Sequence, residues 1–285
     1  MSAAVSDTLR SFRRIMAEPL GAFGIILVLL VVGGAVFADL IASADPNKIA
    51  PRDRFLPPSI DHLMGTDQLG RDLFARVLHG GRIALSVALF ATAASLAIGI
   101  VLGLIAGYGP RWLDNIMILV FDALKSFPTV MLALALVTLF GPSLTAVVVV
   151  VVLVNVPGYA RIIRTQTLAL KSAEFVTAAQ SMGAGAGRIL RVHVLPNVIG
   201  PLLILASMDI PVVIAIEAGM SFLGLGVRPP TPSWGAILND GFTAIRDTPW
   251  IAVAGGLPII LTTLGFTFLG ETLRDVFDPR LKGRG

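Results

Sequence analysis

Six apolar runs, each close to the length needed to cross a bilayer, leave this chain few choices of fold. Spanning hydrocarbon takes about 20 residues of helix. The runs are about Leu20–Ile41, Ile83–Ala106, Ile116–Phe140, Leu144–Ile163, Val198–Leu223 and Ile251–Leu269. Only 14% of the 285 residues are charged, against 55% hydrophobic; a soluble domain carries about a quarter charged residues. The expectation is an all-α membrane protein with six transmembrane helices and no large soluble domain. Its layout is an N-terminal segment 1–19, a first helix 20–41 and a loop 42–82 carrying an amphipathic helix. A five-helix core 83–276, which includes the polar loop 165–197, and a tail 277–285 follow. Ala42-Ser43-Ala44 imitates a signal-peptide cleavage site after the basic flank of Arg10, Arg13 and Arg14. A signal h-region is only about 7–15 residues long, so the first run is kept as a span.

Charge sets the orientation. An even number of spans puts both termini on one side, and with the N-terminus inside that side carries the larger share of Lys and Arg. The cytoplasmic set is Arg10, Arg13, Arg14, Arg111, Arg161, Arg164, Lys171, Arg188, Arg191, Arg274, Arg280, Lys282 and Arg284. Fewer cations lie outside, and Asp45, Asp53, Asp61, Asp67, Asp72, Asp240 and Asp247 match them there. Translocation favours this bias. It explains the formal net charge of +4 better than a nucleic-acid partner does. The chain has no Cys, which excludes a disulfide framework, a thiolate metal site and a thiol nucleophile. His62, His79 and His193 are scattered, no metal-ligand spacing or catalytic constellation appears, and no G-x-x-x-x-G-K-[ST] phosphate loop is present.

One polar segment, Glu174–Asn197, interrupts the apolar runs on the cytoplasmic side. Ser172 is placed to cap a short helix, with Glu174 in its first turn at the positive end of the dipole. Phe175, Ala178, Ala179 and Met182 recur at helical spacing as a narrow apolar face, and Gly183 suits the helix end. A second short helix, about Gly187–Leu195, carries Arg188 and Arg191 and is expected to stop at Pro196. From the residues alone, this knob either lies on lipid or docks on a protein.

The segment closely resembles the cytoplasmic coupling loop of bacterial ATP-binding cassette importers. That pattern is Glu-Ala-Ala, three residues, Gly, nine residues, Ile, one residue, Leu-Pro. Ala178, Ala179, Gly183 and Leu195-Pro196 match it, while Thr177 stands in place of Glu and His193 in place of Ile. A glutamate contact at 177 is therefore not carried over. Two further stretches narrow the likeness: His62-Leu-Met-Gly-Thr-Asp-Gln-Leu-Gly-Arg-Asp72, and Glu217-Ala-Gly-Met-Ser-Phe-Leu-Gly-Leu-Gly226 followed by Pro229–Gly235. Together they resemble the dipeptide/oligopeptide/nickel permease family, in its C-type second subunit. The resemblance implies a permease of the bacterial inner membrane that contains no cofactor and is not itself an enzyme. The partners it implies are a second homologous permease, two ATPase subunits that bind ATP and Mg, and an extracytoplasmic substrate-binding protein. Glu174, Phe175, Ala178, Ala179, Met182, Gly183, Arg188, Leu195 and Pro196 would then form the ATPase-coupling surface. Dipeptide, oligopeptide, modified peptide and nickel all remain open as substrates. An ion-gradient-driven secondary transporter would require internal repeats, and none is evident.

Other residues are candidates on physical grounds. Gly99, Gly103 and Gly107 form a ridge that allows close helix crossing, within the chain or against the partner permease. In the first outer loop, Leu69, Leu73, Phe74 and Val77 form an apolar stripe with Arg71, Asp72 and Arg76 solvated; Arg71 and Asp72 either anchor the helix or meet the binding protein. Asp122 and Lys125 share a helix face and can pair, with Pro128 nearby to kink the helix. Asp209 lies about 16 Å into the fifth span and Glu217 two turns beyond. Either lines a substrate path or bonds to a neighbouring helix, because an unpaired charge in the membrane is costly.

Overall fold

The computed structural model describes Met16 and residues 18–277. The flanking cations Arg10, Arg13, Arg14, Arg280, Lys282 and Arg284 lie outside the described residues. Those residues form helices α1 (Pro19–Val36), α2 (Leu73–Tyr108), α3 (Arg111–Ser126), α4 (Thr129–Phe140) and α5 (Leu144–Lys171). After these come α6 (Glu174–Ser181), α7 (Ala186–Ile189), α8 (Leu195–Phe222), α9 (Trp234–Thr243) and α10 (Trp250–Phe277). Five helical segments are long and apolar enough to cross a membrane, and the α3–α4 pair makes a sixth if counted as one span.

That third span is broken. The kink expected at Pro128 within the run 116–140 is a full break, and two helices meet there at 91°. Pro128 is the cause: proline disfavours helical backbone in the residue before it, and Phe127 is extended at φ −80, ψ 128. Side chains start the helices on either side of the core. Ser143 caps α5 by accepting from the Ala146 N–H at 3.1 Å, and Ser233 caps α9 through Ala236 at 3.2 Å.

The central contact is α2 against α5. A Cβ built on Gly99 would lie 2.5 Å from Tyr159 Cβ, one on Gly103 2.6 Å from the Ala160 carbonyl oxygen, and one on Gly107 2.6 Å from Thr167 Cβ. The glycine ridge thus packs within the chain and is not left for a second permease. Around this seam, Val87, Ala91, Val147, Val150, Val151, Ile214 and Trp234 build one apolar core. Tyr159, Ile163, Val176, Ile189, Val194 and Leu202 build another at the end that carries residues 174–197.

At the opposite end, the loop before α2 folds down as a polar cap. No separate amphipathic helix forms; the stripe expected there belongs to the first turns of the 36-residue α2. Its charges are not solvated. Arg71 and Asp72 are 7% and 8% exposed, and Arg76 and Asp67 are buried with them. Asp67 takes the Arg71 Nε–H at 2.6 Å and the Arg71 and Leu69 backbone N–H groups at 2.9 and 2.8 Å, with Arg76 Nε at 3.5 Å. Asp72 caps α2 through the Ala75 N–H at 2.8 Å and bonds His62 Nδ1 at 2.9 Å. Arg71 reaches Asp240 of α9 at 3.7 Å, and Trp234 Nε1 donates to the Val77 carbonyl at 2.8 Å. Arg71 and Asp72 are thus engaged in the loop's own fold. Burying them is affordable because each guanidinium meets a carboxylate.

Two outcomes are expected. Gly103→Val overpacks the α2–α5 seam and lowers stability by about 1–3 kcal/mol or more, seen as a lower unfolding midpoint in detergent; Gly33→Val, where a Cβ meets nothing within 4 Å, serves as the comparison. Asp67→Asn strands two buried guanidinium groups at a cost of about 3–5 kcal/mol, seen as early proteolysis of the 42–72 loop. An unchanged cleavage pattern would show that the cap does not depend on this carboxylate.

Candidate functional site

The segment 172–197 forms a knob. Ser172 does not cap α6: it closes α5, its hydroxyl donating to the Ala169 carbonyl at 3.1 Å, and leaves extended Ala173 at the cap position. Glu174 occupies the first turn of α6 and is exposed. At the other end Gly183 adopts φ +82. The Ala184 N–H reaches the Ala179 carbonyl at 3.0 Å and the Gly183 N–H that of Gln180 at 2.9 Å. These two bonds are a Schellman closure, and the left-handed conformation it needs favours glycine.

The face of α6 divides differently from its spacing pattern. Val176 is buried in the second core and Ala179 is buried too, whereas Phe175 is 46% and Met182 82% exposed, with Ala178 exposed beside them. Ala179 therefore faces the chain's own body and leaves the outward surface to Phe175, Ala178 and Met182. The physical reason is Val176, three residues before Ala179, which packs in one apolar cluster with Ile189 and Val194 and turns this side of α6 inward. Arg188 and Pro196 are exposed and Leu195 is half-buried.

No helix stops at Pro196. From α7 the backbone passes through a π-helical stretch, Leu190–Val194, straight into α8. Proline falls in the first turn of α8, where its missing N–H does little harm. Asn197 Nδ2 donates to the His193 carbonyl at 2.6 Å, and the His193 ring lies 6.1 Å from that of Phe175. The knob is thus the root of a membrane helix, not an appendage. Tyr108, at the end of α2, ties it to the bundle from the other side. Lys171 Nζ donates to the Tyr108 carbonyl at 3.0 Å and lies 5.0 Å from its ring centroid; Gln180 Nε2 approaches the Tyr108 hydroxyl at 3.4 Å. A lone tyrosine before Gly109-Pro110 offered sequence reading no sign of this.

Among the charges within spans, Asp122 pairs with Arg161 of α5 and not with Lys125. Spacing along one helix suggested the local partner, but the crossing helix supplies a guanidinium instead. Arg164 grips Asp114 through two hydrogen bonds, the second at 2.6 Å. Asp209 is half-buried, close to the Tyr159 hydroxyl but without a hydrogen bond of normal geometry. Glu217 is 1% exposed and accepts from Ser221 Oγ at 2.7 Å. It sits inside the bundle, bonded within its own helix. Among the described residues no group of three or more His, Cys, Asp and Glu is placed to hold a metal ion.

Comparison with known proteins agrees with this architecture. Residues 99–283 match the family model of the binding-protein-dependent transport system inner membrane component, and residues 8–58 match the N-terminal transmembrane domain of oligopeptide transport permease C. The chain is 38% identical over 279 residues to a dipeptide transport system permease protein of Alkalihalophilus pseudofirmus, covering 98% of this chain and 92% of that one. It is 39% identical over 272 residues to a glutathione transport system permease protein of Pectobacterium atrosepticum, covering 95% and 90%. A chain of the MetNI methionine ABC transporter, solved in inward-facing conformations, shares the fold at a TM-score of 0.55 and 18% identity, covering 71% of this chain and 97% of that one. With its membrane helices, its knob and these relatives, the chain belongs to the family of binding-protein-dependent transport system inner membrane components, as a multi-pass permease subunit of an ATP-binding cassette importer and not an enzyme.

Proposed function

We propose that this chain is one of two non-identical permeases of a peptide importer, driven by two ATPase subunits and fed by an extracytoplasmic binding protein. The observation that carries the coupling role is the exposed apolar surface of α6, Phe175, Ala178 and Met182, on a knob rooted in the bundle. A lipid-lying helix needs no such root; a lever does. Val176 packs in one apolar cluster with Ile163 of α5 and Val198 and Leu202 of α8, and Tyr108 ties the knob to α2, so a push on α6 reaches three membrane helices. Both termini and the knob face the cytoplasm, in line with the excess of Lys and Arg on that side. ATP and Mg bind the ATPase subunits. ATP-driven closure of those subunits moves α6 and re-orients the spans; hydrolysis resets them. Peptides are favoured as substrate over nickel because the relatives are named as dipeptide, di/tripeptide and glutathione permeases.

The test is a reconstituted complex of both permeases, both ATPases and the binding protein. Met182→Asp puts a charge into the outward apolar surface and should weaken ATPase docking about 30-fold, the equivalent of about 2 kcal/mol at an interface anchor. Peptide uptake should fall with it while the two permeases still co-purify. Binding coupling is reciprocal, so stimulation of ATP hydrolysis by loaded binding protein should disappear in the same variant. Full ATP-driven uptake by both Met182→Asp and Ala178→Asp would count strongly against the coupling role.

A further inference from the structure

The surface of α3 is divided lengthwise into three sectors. Phe121 is buried and Leu113, Met117 and Leu124 are half-buried, so this sector meets the bundle. Trp112, Ile116, Leu119 and Val120 are exposed and, at helical spacing, share a second sector. Arg111, Asn115, Asp122 and Ser126 are exposed too, and they line a third. The border between polar and apolar surface therefore runs along the helix from its first residue to its last. A helix surrounded by lipid is apolar through its whole middle. A lengthwise border belongs to an amphipathic helix lying in the membrane surface, or to one standing upright beside a water-filled path.

Two ion pairs separate these arrangements. Asp114 and Asp122 are eight residues apart on α3, about 12 Å. Their partners on α5, Arg164 and Arg161, are only three residues apart, about 4.5 Å. Were α3 to run alongside α5, the partners would be spaced like the carboxylates; the mismatch is what a helix crossing α5 steeply produces. Both pairs sit at the end of the apolar run Leu144–Ile163, where hydrocarbon gives way to headgroups. The start of α3 is at the same surface, because α2 ends in Tyr108 beneath the knob and Arg111 follows directly. The break adds an independent sign. α4 packs against α5 and leaves α3 at 91°, so α4 is the part directed into the hydrocarbon.

We propose that α3 lies in the plane of the membrane surface on the knob's side, with Trp112, Ile116, Leu119 and Val120 set into the acyl chains and Arg111, Asn115 and Ser126 among headgroups and water. The partner of this exposed face is lipid. Tryptophan suits that depth, since its ring is apolar and its N–H polar. Through Asp114 and Asp122 the helix holds the knob end of α5 to the bilayer surface, which resists movement of α5 along the membrane normal when the knob is pushed.

The chain has no Cys, so single spin labels can be placed on introduced cysteines in the reconstituted complex, with the cysteines of the other subunits replaced. Collisions with oxygen, which concentrates in lipid, and with a water-soluble nickel chelate give the depth of each label. Labels on Trp112→Cys, Leu119→Cys and Ala123→Cys should meet oxygen and agree in depth within about 5 Å, half a helix diameter. A label on Asn115→Cys should meet the chelate. Labels on Val253→Cys and Leu264→Cys, exposed on α10, provide the contrast: eleven residues of an upright helix should separate them by about 16 Å. A difference of that size between positions 112 and 123 would show that α3 stands upright and overturn the proposal. Apolar-face labels that meet the chelate, as beside a water-filled path, would overturn it as well. So would labels that meet neither probe, as under the second permease.

Discussion

The structure depends on how closely α2 and α5 approach. Without side chains at Gly99, Gly103 and Gly107, the backbone of one helix touches Tyr159, Ala160 and Thr167 of the other. Within lipid there is little hydrophobic gain from joining two apolar helices, so close van der Waals contact has to hold them. The seam runs nearly the full depth of the membrane and makes two helices into one body. At one end of that body α2 is capped by Asp72 and surrounded by the Asp67–Arg71–Arg76 cluster. At the other it ends in Tyr108, under the knob. A displacement at either end is carried by a helix that cannot slide against its neighbour.

This mechanical layout gives the polar residues their roles. The cap resembles a salt-bridged latch: Asp67 is shared by the buried Arg71 and Arg76, and Trp234 locks α9 onto α2 through the Val77 carbonyl. The knob is divided between two tasks. Its inner residues, Val176 and Ala179, belong to the core; its outer ones, Phe175, Ala178 and Met182, are left uncovered. An ATPase that binds the outer set therefore acts on the core directly. The π-helical stretch before Pro196 keeps knob and α8 in one continuous rod, which a loop in its place would not do.

Much of this was legible beforehand, for identifiable reasons. Span number follows from apolar run length, because the bilayer imposes it. Gly183 as a helix end follows from the left-handed backbone that a Schellman closure needs, and the glycine ridge from its four-residue period. What escaped was every choice among partners. Asp122 was read beside Lys125, its neighbour along the helix, whereas Arg161 comes from a helix almost 40 positions away. Arg71 and Arg76 were read as solvated because an isolated amphipathic stripe looks that way; only the folded loop shows that Asp67 lies beneath them. Ala179 was read as outward because periodicity defines a face but not what the face meets.

The amino-acid sequence by itself determined that this chain lives in a membrane, which runs are long enough to cross it, where a polar knob interrupts them, and to which family its motifs point. These follow from hydropathy, charge bias and backbone stereochemistry, all of them local or additive along the chain. The tertiary structure alone decided which charges meet one another, which half of the knob is exposed, and that the kink at Pro128 opens to 91°. Those depend on distances between residues far apart in sequence, where small differences in helix approach decide whether a charge is buried with a partner or left exposed.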